Sequence, residues 1–191
     1  MKKFLEKSWG FLKKNWKMAV LALSILVGIG IDQLTKLIVA GNMRVGQSIV
    51  VIEGIFNITY IRNNGAAFGM LADHPWVFNT LSVVSVLAIL VYLFGFCKEG
   101  WLFKSGLALI ACGGIGNMID RIAYAKADIT GVIDMIEATL TRSWFGFDFA
   151  VFNVADCYVC IGAGIVILAL ILDIVRDAKK KKESSSKNEN N

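Results

Sequence analysis

The sequence lacks the short motifs by which many hydrolases and nucleotide-binding enzymes are recognised. No G-x-S-x-G, H-E-x-x-H or P-loop pattern is present. The chain has a single histidine, His74, and a single proline, Pro75, which follows it at a predicted helix entrance. Cys157 and Cys160 have the C-x-x-C spacing, but no second cysteine pair exists, so we interpret them as small residues packed in an apolar helix. We therefore expect neither a metal site nor a cofactor.

Charged residues are also scarce, at 18% of the chain, whereas 56% of the residues are hydrophobic and the mean hydropathy is +0.61. These values lie well above those of ordinary soluble domains. Four apolar runs have about the 20 residues that a helix needs to cross a bilayer. They lie near residues 18–40, 76–97, 102–119 and 151–175. No internal repeat is evident, which argues against an inverted-repeat transporter. The sequence therefore predicts an all-α membrane protein with four transmembrane helices.

Basic residues are concentrated in segments that fall on one side of this arrangement. Most of the 20 Lys and Arg residues lie before residue 18, between the second and third helices, or after residue 175. By the positive-inside rule, both termini are then cytoplasmic, and residues 41–74 and 121–150 face outward. This asymmetry accounts for the net charge of +5, so we expect no nucleic acid partner. It also places the basic tails where they can contact anionic lipid headgroups.

The predicted organisation is one membrane domain between two basic tails. Residues 1–17 form a cytoplasmic N-terminal tail, residues 18–176 form the four-helix domain, and residues 177–191 form a disordered cytoplasmic tail rich in Lys, Ser, Glu and Asn. The first apolar run is longer than the core of a signal peptide, and no small-x-small cleavage site follows it. We therefore expect an uncleaved first helix.

The outer segment after the first helix has the composition of a small sheet. Residues 48–52 and 56–61 are β-branched and aromatic, with Glu53 and Gly54 between them, which predicts two strands joined by a turn. The next residues, 62–69, include Asn63 and Gly65. This stretch is compatible with a tight turn, or with a cradle that holds an extended peptide by backbone hydrogen bonds. We predict a small extracytoplasmic β-rich cradle, with an interfacial loop or helix later in the chain.

Two aspartates lie in apolar surroundings at predicted membrane boundaries. Asp134 lies within the stretch 131–136, and Asp156 stands at the start of the last apolar run. A carboxylate in such a setting is costly and is usually retained for a function. Asp128 and Asp148 are rival acids, but neither has equally apolar neighbours, so we rank them lower.

The pair formed by Asp134 and Asp156 suggests acid–base chemistry. Two carboxylates held close together cannot both ionise cheaply, so one retains a proton near neutral pH. The ionised member can take a proton from water while the protonated member polarises a carbonyl group. Such a pair hydrolyses an amide without a serine, a cysteine or a metal. The same acids are compatible with a proton-coupled transporter, and a third alternative is a scaffold whose polar residues only join helices.

Other polar residues interrupt the helices at spacings that place them on shared faces. Asp32 and Lys36 are four residues apart, which fits an ion pair with Lys36 reaching outward as well as an Asp32 that points inward. Asn117 and Arg121 share a face near the end of the third helix, beside Asp120. Arg121 can then pair with Asp120 or with either carboxylate of the candidate pair. We predict that these residues support the two acids.

Two further features support a site at the ends of the third and fourth helices. Asn153 precedes Asp156 by three residues, so both can face inward from the start of the fourth helix. Glycines at positions 113, 114 and 116 permit the third helix to approach a neighbour closely.

Taken in order, these motifs closely resemble those of the bacterial lipoprotein signal peptidase family (signal peptidase II). The motifs are Asp32-x-x-Thr35-Lys36, Asn63-x-Gly65-Ala66-Ala67-Phe68, Gly113-Gly114-x-Gly116-Asn117-x-x-Asp120-Arg121, Val132-x-Asp134-Met135-Ile136 and Phe152-Asn153-x-Ala155-Asp156. The resemblance covers about residues 18–176. The chain departs from the family pattern in a longer link over residues 122–130 and in the absence of a proline shortly before Phe152.

The resemblance implies an aspartyl endopeptidase of the bacterial cytoplasmic membrane. Its substrate would be a prolipoprotein whose cysteine carries a diacylglyceryl group, and it would cleave just before that cysteine. Asp134 and Asp156 would be the catalytic dyad. The residues that would support the dyad, bind the substrate or keep the site in shape are Asn63, Gly65, Asn117, Arg121, Asn153, Asp32, Lys36 and Asp120. The expected partners are the lipidated prolipoprotein and membrane lipids, with the protein itself a monomer.

Overall fold

The computed structural model describes residues 2–63, 75–123, 131–147 and 149–189. Five α-helices and three strands lie in these ranges. In chain order they are α1 (Lys2–Asn42), β1 (Ser48–Ile52), β2 (Phe56–Asn63), α2 (Pro75–Val91), α3 (Trp101–Ala123), β3 (Val132–Ala138), α4 (Leu140–Phe145) and α5 (Val154–Glu189). Helix α2 continues into a π-helical turn, Tyr92–Phe96.

Helices α1, α2, α3 and α5 each contain a segment long and apolar enough to cross a membrane. These segments are Trp16–Asn42, Asn79–Phe96, Trp101–Ala123 and Val154–Ser185. Many of their large apolar side chains are exposed, for example Leu26 at 66% and Ile167 at 58%. Such exposure suits a surface that faces lipid tails, which are as apolar as leucine. The predicted four-helix membrane fold is confirmed.

The first and last helices are longer than the apolar runs from which they were predicted. Helix α5 continues to Glu189, whereas the sequence predicts a helix that ends near residue 175 and a disordered tail after residue 176. Helix α1 begins at Lys2, within the predicted basic tail. Neither extension contains a proline, and alanine, lysine and glutamate favour the helix without needing an apolar face. The division of the chain into tails and a membrane domain stays a prediction.

The three strands form one antiparallel sheet in the order β1-β2-β3. The predicted hairpin is confirmed, and Gly54 adopts a φ of +72° in its turn, a conformation that a side chain disfavours. The predicted outer segment over residues 121–150 contains a short helix, α4, as the expected interfacial loop or helix allows, and also a strand, β3, which the sequence analysis did not predict. Strand β3 pairs with β2, so that Asp134 lies opposite Ile61 and Val132 lies opposite Asn63.

Strand β3 is also tied to the start of α5. Ile136 forms a bridge with Phe152, in which each backbone N–H donates to the other residue's carbonyl oxygen, at 2.7 and 3.0 Å. On one face of β3, the side chains of Ile133 and Met135 are buried against Val39 of α1 and Tyr60 of β2. Because side chains alternate along a strand, Asp134 points to the face opposite Ile133 and Met135.

Glycines bring α3 into close contact with α5 and α1. A Cβ atom on Gly113 would lie 2.2 Å from the carbonyl oxygen of Ala155, and one on Gly116 would lie 2.5 Å from Asp32 Oδ2. Only a glycine leaves room for such an approach. The expected role of these glycines in close packing is confirmed. Helix α3 thereby carries Asn117 and Asp120 to the point where α1, β3 and α5 meet.

Candidate active site

Asn153 links the two aspartates that the sequence singles out. Its side-chain Nδ2 donates to Asp134 Oδ1 at 2.6 Å, and its backbone N–H donates to Asp156 Oδ2 at 3.0 Å. The bridge between Ile136 and Phe152 holds β3 beside the start of α5, which makes these contacts possible. Two acids that are distant in sequence are thus bound to one residue.

Asn153 and Asp156 also form a reciprocal cap at the start of α5. The backbone N–H of Asp156 donates to Asn153 Oδ1 at 3.0 Å, while that of Asn153 donates to the Asp156 carboxylate. This is the capping-box arrangement, which satisfies N–H groups left without partners at a helix start. The cap fixes the Asp156 side chain in the first turn, where a negative charge interacts favourably with the helix dipole.

Each carboxylate accepts a second hydrogen bond from an asparagine on a different element. Asn63 Nδ2, at the end of β2, donates to Asp134 Oδ2 at 3.0 Å. Asn117 Nδ2, on α3, donates to Asp156 Oδ1 at 2.8 Å. Supporting hydrogen bonds of this kind hold carboxylates in one orientation. The structure therefore brings together both predicted acids and the three predicted supporting asparagines.

Asp134 is the more deeply buried member of the pair, with 2% of its surface exposed. The pKa of its carboxyl group is raised from 3.8 to about 6, chiefly by burial and in part by the nearby charge of Asp156. The hydrogen bonds from Asn63 and Asn153 favour the ionised form and lower this pKa, but burial outweighs them. Asp134 is therefore poised to exchange a proton near neutral pH.

A buried ionic network lies beneath the two acids. Lys36 Nζ contacts Asp32 Oδ2 at 2.9 Å and Asp120 Oδ2 at 3.1 Å, and all three residues are at most 1% exposed. Of the two interpretations of the Asp32 and Lys36 spacing, the inward-pointing Asp32 is correct. Lys36 does not reach outward, because Asp120 of α3 completes an ion cluster in the interior.

This network holds the backbone beside each acid. Asp32 Oδ1 accepts a hydrogen bond from the N–H of Ala155 at 2.9 Å, one residue before Asp156. Asp120 Oδ2 accepts one from the N–H of Ile133 at 3.0 Å, one residue before Asp134. The two carboxylates of the network therefore anchor the two chain segments that carry the candidate pair.

Arg121 is partly buried, and its positive charge interacts with the carboxylates of Asp156, Asp134 and Asp120. The charges of all three carboxylates that the sequence allows as partners thus act on Arg121. Gly65, the remaining predicted site residue, lies outside the described residues, as do His74 and the rival acids Asp128 and Asp148.

The sequence analysis missed Gln33. Its Nε2 atom lies 3.2 Å from Asp32 Oδ2, 3.0 Å from the carbonyl oxygen of Gly116 and 3.1 Å from Asp120 Oδ1. A second polar residue beside Asp32, inside a run that crosses the membrane, was the available signal. In the part of the chain that the structure describes, no group of three or more His, Cys, Asp or Glu residues is arranged to hold a metal ion.

The sequence matches a known family over most of its length. The sequence model of the family described as signal peptidase (SPase) II matches residues 8–172. Among curated proteins, the lipoprotein signal peptidase of Halalkalibacterium halodurans is 38% identical over 159 residues, which cover 83% of this chain and 96% of that protein. The enzyme of the same name from Bacillus subtilis is 36% identical over 158 residues, 83% and 95% of the two chains. The one from Listeria monocytogenes is 40% identical over 157 residues, 82% and 94%.

The fold also matches solved structures of bacterial membrane enzymes. A bacterial membrane enzyme determined by the in meso method at 2.3 Å resolution matches with a TM-score of 0.71 and 31% identity, over 82% of this chain and 90% of that chain. A second, determined by the same method at 1.9 Å resolution, matches with a TM-score of 0.68 and 32% identity, over 80% and 92% of the two chains. The likeness thus extends over at least four fifths of this chain.

Proposed function

The chain belongs to the signal peptidase II family, and from that premise we propose that it is an aspartyl endopeptidase that uses Asp134 and Asp156 as its catalytic dyad. Membership of this family makes the chain a membrane-bound protease that removes signal peptides from lipoproteins. The proposed substrate is a prolipoprotein whose cysteine carries a diacylglyceryl group. The bond cleaved is the peptide bond just before that cysteine.

One observation carries this proposal: Asn153 donates hydrogen bonds to both Asp134 and Asp156. The shared asparagine holds two carboxyl groups in fixed orientations at the outer ends of the helices. The burial that raises the pKa of Asp134 to about 6 favours a pair that carries one proton near neutral pH. A singly protonated pair is the state that amide hydrolysis by two carboxyl groups requires.

The hydrolysis begins with a water molecule between the two carboxyl groups. The ionised carboxylate takes a proton from this water, whose oxygen attacks the scissile carbonyl carbon. The protonated carboxyl group gives its proton to the carbonyl oxygen, which produces a neutral tetrahedral intermediate. The C–N bond then breaks as one carboxyl group of the dyad gives a proton to the amide nitrogen, while a hydroxyl group of the intermediate returns its proton to the other carboxylate. The products are an amine and a carboxylic acid, and the dyad again carries one proton. The charge of Arg121 lies close enough to stabilise the negative charge of the ionised dyad member.

The position of the dyad suits a substrate whose lipid remains in the membrane. Asp156 is in the first turn of α5, and Asp134 is in the sheet beyond the helix ends, so both lie near the membrane surface. The acyl chains then stay among lipid tails while the peptide reaches the dyad. We propose that this surface is the outer face of the bacterial cytoplasmic membrane, that both termini are cytoplasmic, and that the enzyme acts as a monomer in contact with membrane lipids.

The proposal is tested by the cleavage of a diacylglyceryl-modified prolipoprotein by purified protein in detergent, followed as a shift on a gel. We expect the wild-type protein to cleave, and Asp134→Asn and Asp156→Asn each to lose about 10²–10⁴-fold in rate, since each removes a group that exchanges protons. Asp173→Asn is the matched control, because Asp173 is on the same helix as Asp156 but is exposed and pairs with Arg176 at 3.3 Å. It is expected to cleave at the wild-type rate.

Melting curves of all four proteins separate chemistry from folding. If both dyad variants fold but do not cleave, while the wild-type protein and the Asp173 variant both cleave, the dyad is established. If a folded wild-type protein cleaves none of several lipidated substrates, the peptidase mechanism is refuted and a proton-coupled transporter becomes the better explanation of the buried acids. If the dyad variants cleave normally, the catalytic residues lie elsewhere.

A further inference from the structure

The ammonium group of Lys36 makes two contacts outside the ion cluster, a long one to the carbonyl oxygen of Gly116 at 3.5 Å and a shorter one to a side-chain amide. Besides Asp32 Oδ2 and Asp120 Oδ2, it donates to Asn117 Oδ1 at 2.9 Å. An ammonium group has three protons and accepts none, so these three oxygens, all within 3.1 Å, match its donors. Lys36 is thus connected to the dyad through Asn117, although it touches neither dyad residue among the contacts described for it.

This contact determines which way the amide of Asn117 faces. Because Lys36 can only donate, the end of the Asn117 amide beside it has to be the oxygen. The NH2 end then faces Asp156 Oδ1, to which it donates at 2.8 Å. If the amide were reversed, its NH2 group would oppose the ammonium and its oxygen would oppose the carboxylate. Both contacts would then be repulsive.

The neighbouring amide of Asn153 is oriented in the same manner. Its Oδ1 faces the backbone N–H of Asp156, which can only donate. Its Nδ2 therefore faces the oxygen of Asn117, at 3.0 Å, as well as Asp134. The orientation of one amide supports that of the other, and both depend on groups that can only donate. Removal of Lys36 takes away one of the donors that keep the oxygen of the Asn117 amide in its place.

We propose that Lys36 is a positioning residue for the hydrolysis, which acts by orienting the Asn117 amide so that its NH2 group binds Asp156. The inference rests on the proposed function, and deepens it by separating two tasks of the buried network. One task is to join α1 to α3. The other is to set the hydrogen-bonding state of the dyad.

Gln33 provides a comparison within the same helix. Like Lys36, it contacts Asp32, the carbonyl oxygen of Gly116, and Asp120. Within the described residues, the hydrogen bonds of Gln33 do not include Asn117. A Gln33 variant therefore disturbs the connection between α1 and α3 without removing the donor that orients the amide.

The test is a double-mutant cycle, measured as kcat and KM on a diacylglyceryl-modified prolipoprotein. The proteins are wild type, Lys36→Met, Asn117→Ala, the double variant and Gln33→Leu. We expect Lys36→Met to lower kcat by about 10²-fold, as expected for a misplaced catalytic group, with little change in KM. The double variant should lose no more than Asn117→Ala alone, because Lys36 acts through Asn117. Gln33→Leu should lower the melting temperature, and its kcat per folded molecule should fall by less than that of Lys36→Met, because Lys36 still donates to Asn117.

Three results would overturn the inference. They are losses in Lys36→Met and Asn117→Ala that multiply in the double variant, a wild-type kcat in Lys36→Met, and a loss in Gln33→Leu equal to that in Lys36→Met. Each leaves the proposed function intact, provided that the wild-type protein cleaves and the dyad variants do not. Absence of cleavage by the wild-type protein would refute the proposed function instead.

Lys36→Met leaves two buried carboxylates without their cation, so it is paired with a charge-balanced version. The double variant Asp32→Asn/Lys36→Met removes one charge of each sign and is compared with Asp32→Asn alone. The single variant Asp32→Asn retains the contact between Lys36 and Asn117. We expect kcat to fall by about 10²-fold between these two proteins, and an equal kcat in both would contradict the inference.

Discussion

Ionisation of Asp134 is costly in the folded protein, because only 2% of its surface is exposed. Its pKa of about 6 in the fold compares with an ordinary value of 3.8. A raised pKa of an acid means that the folded state binds the proton more tightly than the unfolded state does. The protonated group contributes its full stabilisation when the pH is below its ordinary pKa of 3.8, and this stabilisation is lost as the pH rises through about 6. The full loss corresponds to about 3 kcal/mol.

The prediction at this residue is that the stability of Asp134→Asn, relative to that of the wild-type protein, increases as the pH rises. An asparagine cannot ionise, so the variant does not share the loss that the wild-type protein undergoes between about pH 4 and 7. We expect the melting temperature of the variant, relative to wild type in the same detergent, to rise across this range. Asp173→Asn, which alters an exposed carboxylate, should show a difference that hardly changes with pH. A constant or falling difference for Asp134→Asn would mean that its pKa is not raised by burial.

Most of the residues that gather at the candidate site could be predicted from the sequence, but their pairing could not. Asp32 and Lys36 are four residues apart, and this spacing fits an outward and an inward pair equally well. The choice is made by Asp120, which belongs to another helix and supplies the second carboxylate for the ammonium. Gln33 was missed for the same reason, since two of its three acceptors are on α3. Such contacts depend on how helices meet, which local spacing does not determine.

Among the elements, α3 and α5 are in close contact at glycines on both helices. Gly106 and Gly162 face each other, so that a Cβ on either would lie within 2.8 Å of the other residue's carbonyl oxygen. Further along the same contact, Gly113 faces the carbonyl oxygen of Ala155. Between membrane helices, where no hydrophobic effect drives association, such close packing is a main source of stability. This contact also sets the distance between Asn117 on α3 and Asp156 on α5.

The prediction for this pair of helices is that Gly162→Ala lowers the melting temperature, because its methyl group would meet Gly106 O at 2.7 Å and Ile110 N at 2.9 Å. Overpacking of this kind typically costs about 1–3 kcal/mol. Gly164→Ala, two residues later on α5, is the matched control, since nothing lies within 4 Å of its added Cβ. It should be neutral or slightly stabilising, as alanine favours the helix over glycine by about 1 kcal/mol. Equal effects of the two substitutions would show that α3 and α5 are not in tight contact at Gly162.

The elements that the sequence predicts best are those with a strong local pattern. The four apolar runs and the β-branched segments of the hairpin each have such a pattern, and all of them are confirmed. Strand β3 was not predicted, because its short sequence carries Asp134 and Glu137 among its apolar residues. It becomes a strand by pairing with β2, whose sequence lies far from it along the chain. The extension of α5 to Glu189 was missed because helix propensity, without apolar periodicity, gives only a weak signal.

For the molecule as a whole, the four spans determine which parts share a side of the membrane. An even number of crossings places both ends of the chain on one side, and the sheet, which lies between the first and second spans and between the third and fourth, on the other. The basic residues are concentrated on the side of the chain ends. If that side is the cytoplasmic one, as the positive-inside rule predicts, the sheet and the proposed dyad face outward.

The prediction at this scale concerns the accessibility of two tags in the full-length protein in bacterial spheroplasts. One short epitope tag is inserted between Glu53 and Gly54, in the exposed turn of the hairpin, and another is appended to the C-terminal end. We expect an antibody to bind the hairpin tag on intact spheroplasts, and to bind the C-terminal tag only after the membrane is permeabilised. Melting curves of both tagged proteins check that the fold is retained. The reverse pattern would place the dyad at the cytoplasmic face, where a prolipoprotein held at the outer surface could not reach it.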